Sequence, residues 1–185
     1  GGIELIFSQI AGSFFNFNDL VDFMFIDEVT ILIQAGDGGD GCCSFRREKY
    51  VPLGGPDGGD GGDGGDIIFE ADSHLSTLTD LKNSRLYKAG CGSPGKGKTM
   101  TGKEGKDLVI KIPAGTLIKD GESLGLLADL TEHKARFVAA SGGRGGRGNA
   151  RFKSSINRAP RRFDLGVKTE EKKLFLELKL LADVA

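Results

Sequence analysis

The chain has 185 residues, 38% of them hydrophobic, and a net charge of −1. This length and hydrophobic content are enough for one domain with a core. The near-zero net charge excludes an overall positive potential that would attract nucleic acid or a membrane surface. No apolar run reaches the roughly 20 residues that a membrane-spanning helix needs, so we predict no span. Cys42, Cys43 and Cys91 lack metal-ligand spacing, and we predict no metal site and reduced thiols in a cytoplasmic protein.

Residues 1–23 differ from the rest because they are rich in Phe and Asn and contain no Lys or Arg. We predict a tag, upstream-translated or disordered extension here, with the natural start at Met24, although an amphipathic extension also fits. The lack of basic residues argues against a secretory signal or a transit peptide. The domain is predicted over 24–185, and it opens with an alternating, half-buried strand at Phe25–Ala35.

Glycine strings then recur along the chain, at 36–41, 54–66, 90–105 and 142–148, and the second ends in three Gly-Gly-Asp triplets. A period of three fits neither a helix nor a strand, but it matches polyproline II. An unperiodic glycine run indicates a flexible linker. The strict period and the recurrence favour an ordered bundle instead. The glycines assigned to its packing are Gly54, Gly55, Gly58, Gly59, Gly61, Gly62, Gly64, Gly65, Gly142, Gly143, Gly145 and Gly146.

Short β patterns lie between and after the glycine strings. Leu75–Leu81 predicts one or two helical turns, and no longer helical period is present. The close spacing of the strands predicts a mostly β protein, either a barrel or a sandwich. A glycine-rich protrusion is predicted from segments near 36–66, 88–107 and 141–160. The predicted strands are Cys42–Phe45, Ile67–Glu70, Leu108–Ile112, Thr116–Ile118, Gly125–Asp129, Phe137–Ala140 and Lys172–Ala182.

Charge is distributed unevenly along the chain. Eleven Lys or Arg residues and three acids lie between Arg136 and Lys173, whereas the glycine-rich stretch 36–66 carries six Asp. On a polyproline II string, Arg144 and Arg147 would lie on one edge, suited to phosphate contact. They could equally be solvated, or cap carbonyls of the bundle. The basic patches 46–50 and 158–162 fit a solvated face as well as a ligand site.

Two motifs point to ligands that their context does not support. Residues 92–99 match the phosphate-loop pattern G-x-x-x-x-G-K-T, but neither a core strand before it nor a helix after it is predicted. The aspartates between Asp37 and Asp66 lack the spacing and the terminal Glu of a calcium loop. No triad, Cys/His pair or convincing carboxylate pair is present, so we predict no catalytic residues.

Several signatures together resemble the N-terminal domain of the Obg (CgtA) GTPases, from about Met24 to the end of the chain. They are Gly36–Gly41, the segment Phe45–Pro52, Gly54-Gly55-Pro56 with the triplets, Ile112–Thr116 and Gly142–Asn149. The resemblance implies the Obg fold, a β-barrel of about eight strands with a protrusion of six glycine-rich polyproline II helices. The family's GTPase domain would begin just past Ala185, so GTP and Mg²⁺ would bind there, and no cofactor is expected in this chain.

The resemblance also implies partners, namely the large ribosomal subunit and its RNA, and the protein's own GTPase domain. The family inserts the protrusion into the peptidyl-transferase region during maturation of that subunit. An alternative is that the bundle packs only on itself or docks on the GTPase domain. The candidate RNA-binding residues are Arg46, Arg47, Lys49, Lys96, Lys98, Arg144, Arg147 and Arg151.

Overall fold

The computed structural model describes residues 28–49, 54–84 and 86–179. In these ranges strands are the main regular secondary structure, which confirms the prediction of a mostly β protein. The α-helix described there, α1, is Thr79–Lys82, a 3-10 helix spans Asn149–Phe152, and no described helix is long and apolar enough to cross a membrane. The strands are β1 Glu28–Gln34, β2 Ile67–Asp72, β3 Leu86–Lys88, β4 Leu108–Pro113, β5 Thr116–Asp120, β6 Leu126–Leu130, β7 Arg136–Ala140 and β8 Glu171–Leu178.

The strands form two sheets, one in the order β3-β1-β8-β5-β6 and the other in the order β4-β2-β7. In the part of the chain that the structure describes, no strand pairing joins them, so the ladders do not close into a single barrel. Both sheets nevertheless contribute to one core, in which Ile33 of β1, Phe69 of β2 and Leu176 of β8 are fully buried. Side chains alternate between core and solvent along β1, as a half-buried strand requires.

Some predicted elements differ from those observed. The strand predicted at Cys42–Phe45 is wrong, because only one isolated bridge forms there, between Phe45 and Pro56. The short strand β3 has too few residues to show a period, and it was not predicted. Residues 1–23, and the outer ends of the first and last predicted strands, lie outside the described residues.

Six extended strings project from the sheets, and each continues one strand. Strings 1, 3 and 5 follow β1, β3 and β7, whereas strings 2, 4 and 6 lead back into β2, β4 and β8. The glycine run 90–105 therefore contributes two antiparallel strings, 3 and 4. String 6, which is poorer in glycine, was not predicted from the sequence. Strings 1 to 6 are residues 35–42, 57–66, 89–96, 100–108, 142–149 and 164–169.

String 2, which carries the Gly-Gly-Asp triplets, lies at the centre of the bundle and donates hydrogen bonds to two neighbours. In the middle triplet the Gly61 N–H donates to the carbonyl of Gly146 on string 5 (2.8 Å). The Gly62 N–H donates to the carbonyl of Ser93 on string 3 (2.9 Å). The next triplet repeats both contacts three residues along, with the pairs Gly64–Gly143 and Gly65–Gly90.

The acceptors of the same triplet bind two further strings. The Gly62 carbonyl accepts the Gly39 N–H of string 1, and the Asp63 carbonyl accepts the Gly105 N–H of string 4, both at 2.8 Å. The Asp63 carboxylate in addition accepts the Gly145 N–H of string 5 at 2.6 Å. Each triplet is thus a unit that bonds to four neighbours, which explains the strict period of three. The aspartates serve as amide acceptors, and no described group of three or more His, Cys, Asp or Glu could hold a metal ion.

Glycine is required in the strings because backbone packs directly on backbone. A Cβ built on Gly61 would overlap the carbonyl of Gly39, and one built on Gly64 would overlap that of Gly36. Eleven of the twelve glycines assigned to packing have such an overlap. The exception is Gly55, whose nearest neighbour would be the Lys153 ammonium, 3.9 Å away.

We expect Gly61→Ala to destabilise the domain by about 3 kcal/mol or more, because two backbones would have to separate. Gly55→Ala is the matched control, and its effect should stay within about 0.5 kcal/mol. Urea unfolding of both variants, followed by circular dichroism, measures the difference. Equal stability of the two variants would show that the strings are not packed backbone to backbone.

The aspartate contacts also predict a response to acid. The backbone N–H of Thr169 on string 6 donates to Asp37 on string 1 (2.8 Å) and holds the pKa of that carboxyl below its ordinary value. A lowered folded pKa stabilises the fold above the ordinary pKa, about 3.9, and this stabilisation is lost as the pH falls through the folded value.

We therefore expect the free energy of unfolding to fall below about pH 4, and to fall less in Asp37→Asn than in the parent protein. Urea midpoints between pH 7 and pH 3 measure this, with Glu122→Gln, an exposed carboxylate, as the control. An identical pH dependence in the parent and in Asp37→Asn would contradict the assigned contact.

Candidate nucleic-acid interface

The outer end of the bundle consists of three loops, which join strings 1 and 2, strings 3 and 4, and strings 5 and 6. The described parts of these tip loops, at 43–49, 54–56, 97–99 and 150–163, contain nine Lys or Arg residues and one acid, Glu48. The six strings contain nine acids and six Lys or Arg. The protrusion is therefore electrically polarised, with a mildly acidic body and a strongly basic tip.

All three tip loops contribute to one surface depression of about 790 Å³. Its basic lining residues are Arg46, Arg47, Lys98 and Lys153. The two acids in the lining already have partners. Glu48 accepts from Arg46 (2.7 Å), and Asp57 accepts from the Ser44 hydroxyl and from the Lys98 N–H (3.2 Å). The depression consequently has a net positive charge and suits an anion.

Asn149 joins the first and third tip loops. The side chain is fully buried, and its Oδ1 accepts the Gly58 N–H (2.9 Å). In the next two triplets the corresponding glycine N–H donates to a backbone carbonyl of string 5, so the Asn149 side chain replaces a backbone acceptor here. Its Nδ2 donates to the carbonyls of Ser44 and Pro160, both at 3.0 Å. One amide thus satisfies donors and acceptors from three parts of the tip.

Phe152 organises the base of the third loop. The guanidiniums of Arg147 and Arg162 each lie 5.0 Å from its ring centroid, which is cation–π distance. Asp164 binds the first of these arginines through Nε at 2.8 Å and lies 3.8 Å from Nε of the second. Stacking and ion pairing together fix both cations against the loop.

The first five candidate residues lie in the tip loops or directly beside them. Arg46, Arg47 and Lys98 line the depression, whereas Lys49 is exposed at the end of the described part of the first loop. Lys96 is exposed on the last position of string 3, where its backbone bonds to Gly59 and Met100. The structure thus brings together three of the five.

The remaining three candidates lie lower on the protrusion or bind acids. Arg147 is held by Asp164, and Arg151 binds Asp60 through Nε at 2.6 Å. Arg144 is exposed on string 5, between depressions lined by Asp63 and other carboxylates. Arg144 and Arg147 are therefore less suited to phosphate than the tip cations, because neighbouring carboxylates offset their charge.

The phosphate-loop pattern has a different local structure from that of a nucleotide site. Lys98 and Thr99 both adopt left-handed backbone angles, with φ of 61° and 55°. Their N–H groups donate to Asp57 rather than converging on an empty space. An extended string follows at 100–108 in place of the helix whose N-terminus would hold phosphate.

Sequence reasoning left most of the third loop off the candidate list. Lys153 lines the depression, and Arg158, Arg161 and Arg162 are exposed nearby in the chain. A signal was available, because residues 150–163 contain five Lys or Arg and no acid. Asn149 gave no such signal, since its importance depends on contacts with residues about 100 positions away.

Comparison with known proteins gives consistent matches. The GTP1/OBG family model matches residues 26–180. GTPase Obg of Thermodesulfovibrio yellowstonii is 58% identical over 86% of this chain and 48% of its own length. GTPase Obg of Desulfitobacterium hafniense is 56% identical over 87% of this chain and 38% of its own length. The chain thus spans less than half the length of these curated relatives.

We expect Asn149→Ala to destabilise the domain by about 2–4 kcal/mol, because several buried groups lose a hydrogen-bond partner at once. Asn157→Ala, at an exposed amide in the same loop, is the control and should change stability by less than about 1 kcal/mol. Urea unfolding measures both effects. A loss no greater than that of the control would show that Asn149 does not join the loops.

Proposed function

Because the chain belongs to the GTP1/OBG family, we propose that it is the ribosome-binding module of an Obg-type GTPase that acts in large-subunit assembly. The protrusion would insert against ribosomal RNA in the cytoplasm. In this proposal the six strings are polyproline II helices, and the two sheets, which share one core, form an open barrel that carries them. The hydrogen-bond period of three and the angles at Gly148 (φ −73°, ψ 162°) support the helix assignment.

The separation of charge along the protrusion is the observation that supports RNA as the ligand. The nine basic residues of the tip loops are all exposed, and the loops themselves contain one acid. Arg and Lys are the residues that bind the phosphates of nucleic acids, and such contacts dominate affinity. Acids on the strings disfavour binding along the sides, so the charge pattern directs RNA to the end of the protrusion.

The rigidity of the bundle supports insertion into a preformed cavity. Interstring hydrogen bonds recur at every triplet, from the base of the protrusion to its tip. A rigid element loses little conformational entropy when it binds, so less of the contact energy is spent on ordering. A tip fixed in this way can recognise the shape of folded RNA, whereas a flexible glycine linker could not.

The local structure of the phosphate-loop pattern does not support guanine-nucleotide binding at that loop. The phosphate-loop pattern at 92–99 has its amides bonded to Asp57, and no helix N-terminus faces it. We therefore assign nucleotide binding and hydrolysis in the relatives to the part of their length that this chain does not match.

Co-sedimentation with large ribosomal subunits across a salt series tests the proposal. The chain should bind saturably and more weakly as salt rises, because phosphate contacts release counterions. The double change Arg47→Ala/Lys153→Ala should reduce the slope of log K against log salt by about 1.4–1.8, or 0.7–0.9 for each lost contact. Lys82→Ala, an exposed lysine on α1, is the control and should bind as the parent does.

Three results would contradict the proposal. The first is no binding to large subunits even at low salt, which would favour docking on the protein's own GTPase domain. The second is binding without salt dependence. The third is an equal effect of the control and the double change.

A further inference from the structure

The third tip loop is closed at two levels by hydrogen bonds. At its neck, the Asn149 side chain donates to the carbonyl of Pro160 (3.0 Å). Near its apex, the Ser154 N–H donates to the Asn157 carbonyl, and the Asn157 N–H donates to the Ser154 hydroxyl, both at 3.0 Å. The two residues between them, Ser155 and Ile156, therefore form a fixed apex.

Ile156 projects from this apex into solvent, with 98% of its surface exposed. Scattered apolar residues on a surface are ordinary. This one is unusual in its position, because it lies at a loop apex closed by two hydrogen bonds and does not fold back on its own loop. Lys153 and Arg158 flank it in sequence, and the loop contains no acid.

The chemistry of the loop limits what the isoleucine can contact. The cations of the loop attract a polyanion, and the sugar–phosphate surface of RNA offers an aliphatic side chain little apolar area. The faces of the bases do offer apolar area once a base is unstacked. Isoleucine is one of the side chains that nucleic-acid-binding proteins insert between base steps.

We propose that Ile156 packs against the face of an unstacked base in large-subunit RNA, while Lys153 and Arg158 bind the flanking phosphates. This inference rests on the proposed function and adds a contact of a different chemical kind. Phe152, which stacks with Arg147 and Arg162, lies at the base of the same loop.

The test measures binding of the 185-residue chain to intact large subunits and to protein-free large-subunit RNA, across the same salt series. Ile156→Ala should weaken binding to intact subunits and to protein-free RNA by about tenfold, because the variant lacks the apolar side chain that the complex would bury. The salt slope should not change, because no phosphate contact is lost. Lys153→Ala is the contrasting variant and should reduce the slope by about 0.7–0.9. The melting temperature of Ile156→Ala should equal that of the parent, since the side chain packs on nothing in the free protein.

Chemical probing of base reactivity supplies an independent readout. The parent should change the reactivity of at least one unpaired base that Ile156→Ala leaves unchanged. Equal affinity of Ile156→Ala and the parent would overturn the base contact while leaving the proposed function intact. A loss seen with intact subunits but not with protein-free RNA would assign the isoleucine to a ribosomal protein instead. No binding by the parent to either RNA would overturn the proposed function as well.

Discussion

The protrusion depends on one constraint, which is that six backbones must approach closely enough to hydrogen-bond without side chains between them. Glycine is the residue that permits this approach, because a Cβ at Gly61 or Gly64 would overlap the backbone of a neighbouring string. Glycine is costly to order, and each backbone hydrogen bond contributes only about 1 kcal/mol net. Stability therefore comes from the number of such bonds and from the two-sheet core that holds the base of every string.

The same constraint determines where chemistry can occur. Inside the bundle the third position of each triplet is the one that carries a side chain, and Asp63 uses it to satisfy an amide of string 5. Side chains able to bind a ligand are consequently displaced to the outer faces and to the tip loops. The packing thus leaves these positions open to long charged side chains, and in the tip loops those side chains are mostly Arg and Lys.

The strands and the ordered nature of the glycine strings could be predicted because both leave a local signal. Alternation in β1 and the period of three in string 2 are visible in a few residues. String 6 could not be predicted in this way, since its Asp164 and Val167 join the bundle through backbone atoms, whatever their side chains. At the site, residue type alone indicated Arg147 as a phosphate ligand, whereas its stacking on Phe152 and its ion pair with Asp164 depend on contacts made only in the folded chain.

We propose that the tip of the protrusion, rather than its side, contacts RNA. A short photocrosslinker placed either at the tip or near the base tests this most directly. Cys43 is exposed in the first tip loop, and Cys91 is exposed near the base of string 3. Two variants are needed, Cys42→Ser/Cys91→Ser and Cys42→Ser/Cys43→Ser, so that a single benzophenone is attached at Cys43 or at Cys91 before irradiation with bound large subunits. We expect abundant crosslinks to ribosomal RNA from Cys43 and few from Cys91. Equal crosslinking from both positions, or none from Cys43, would contradict it.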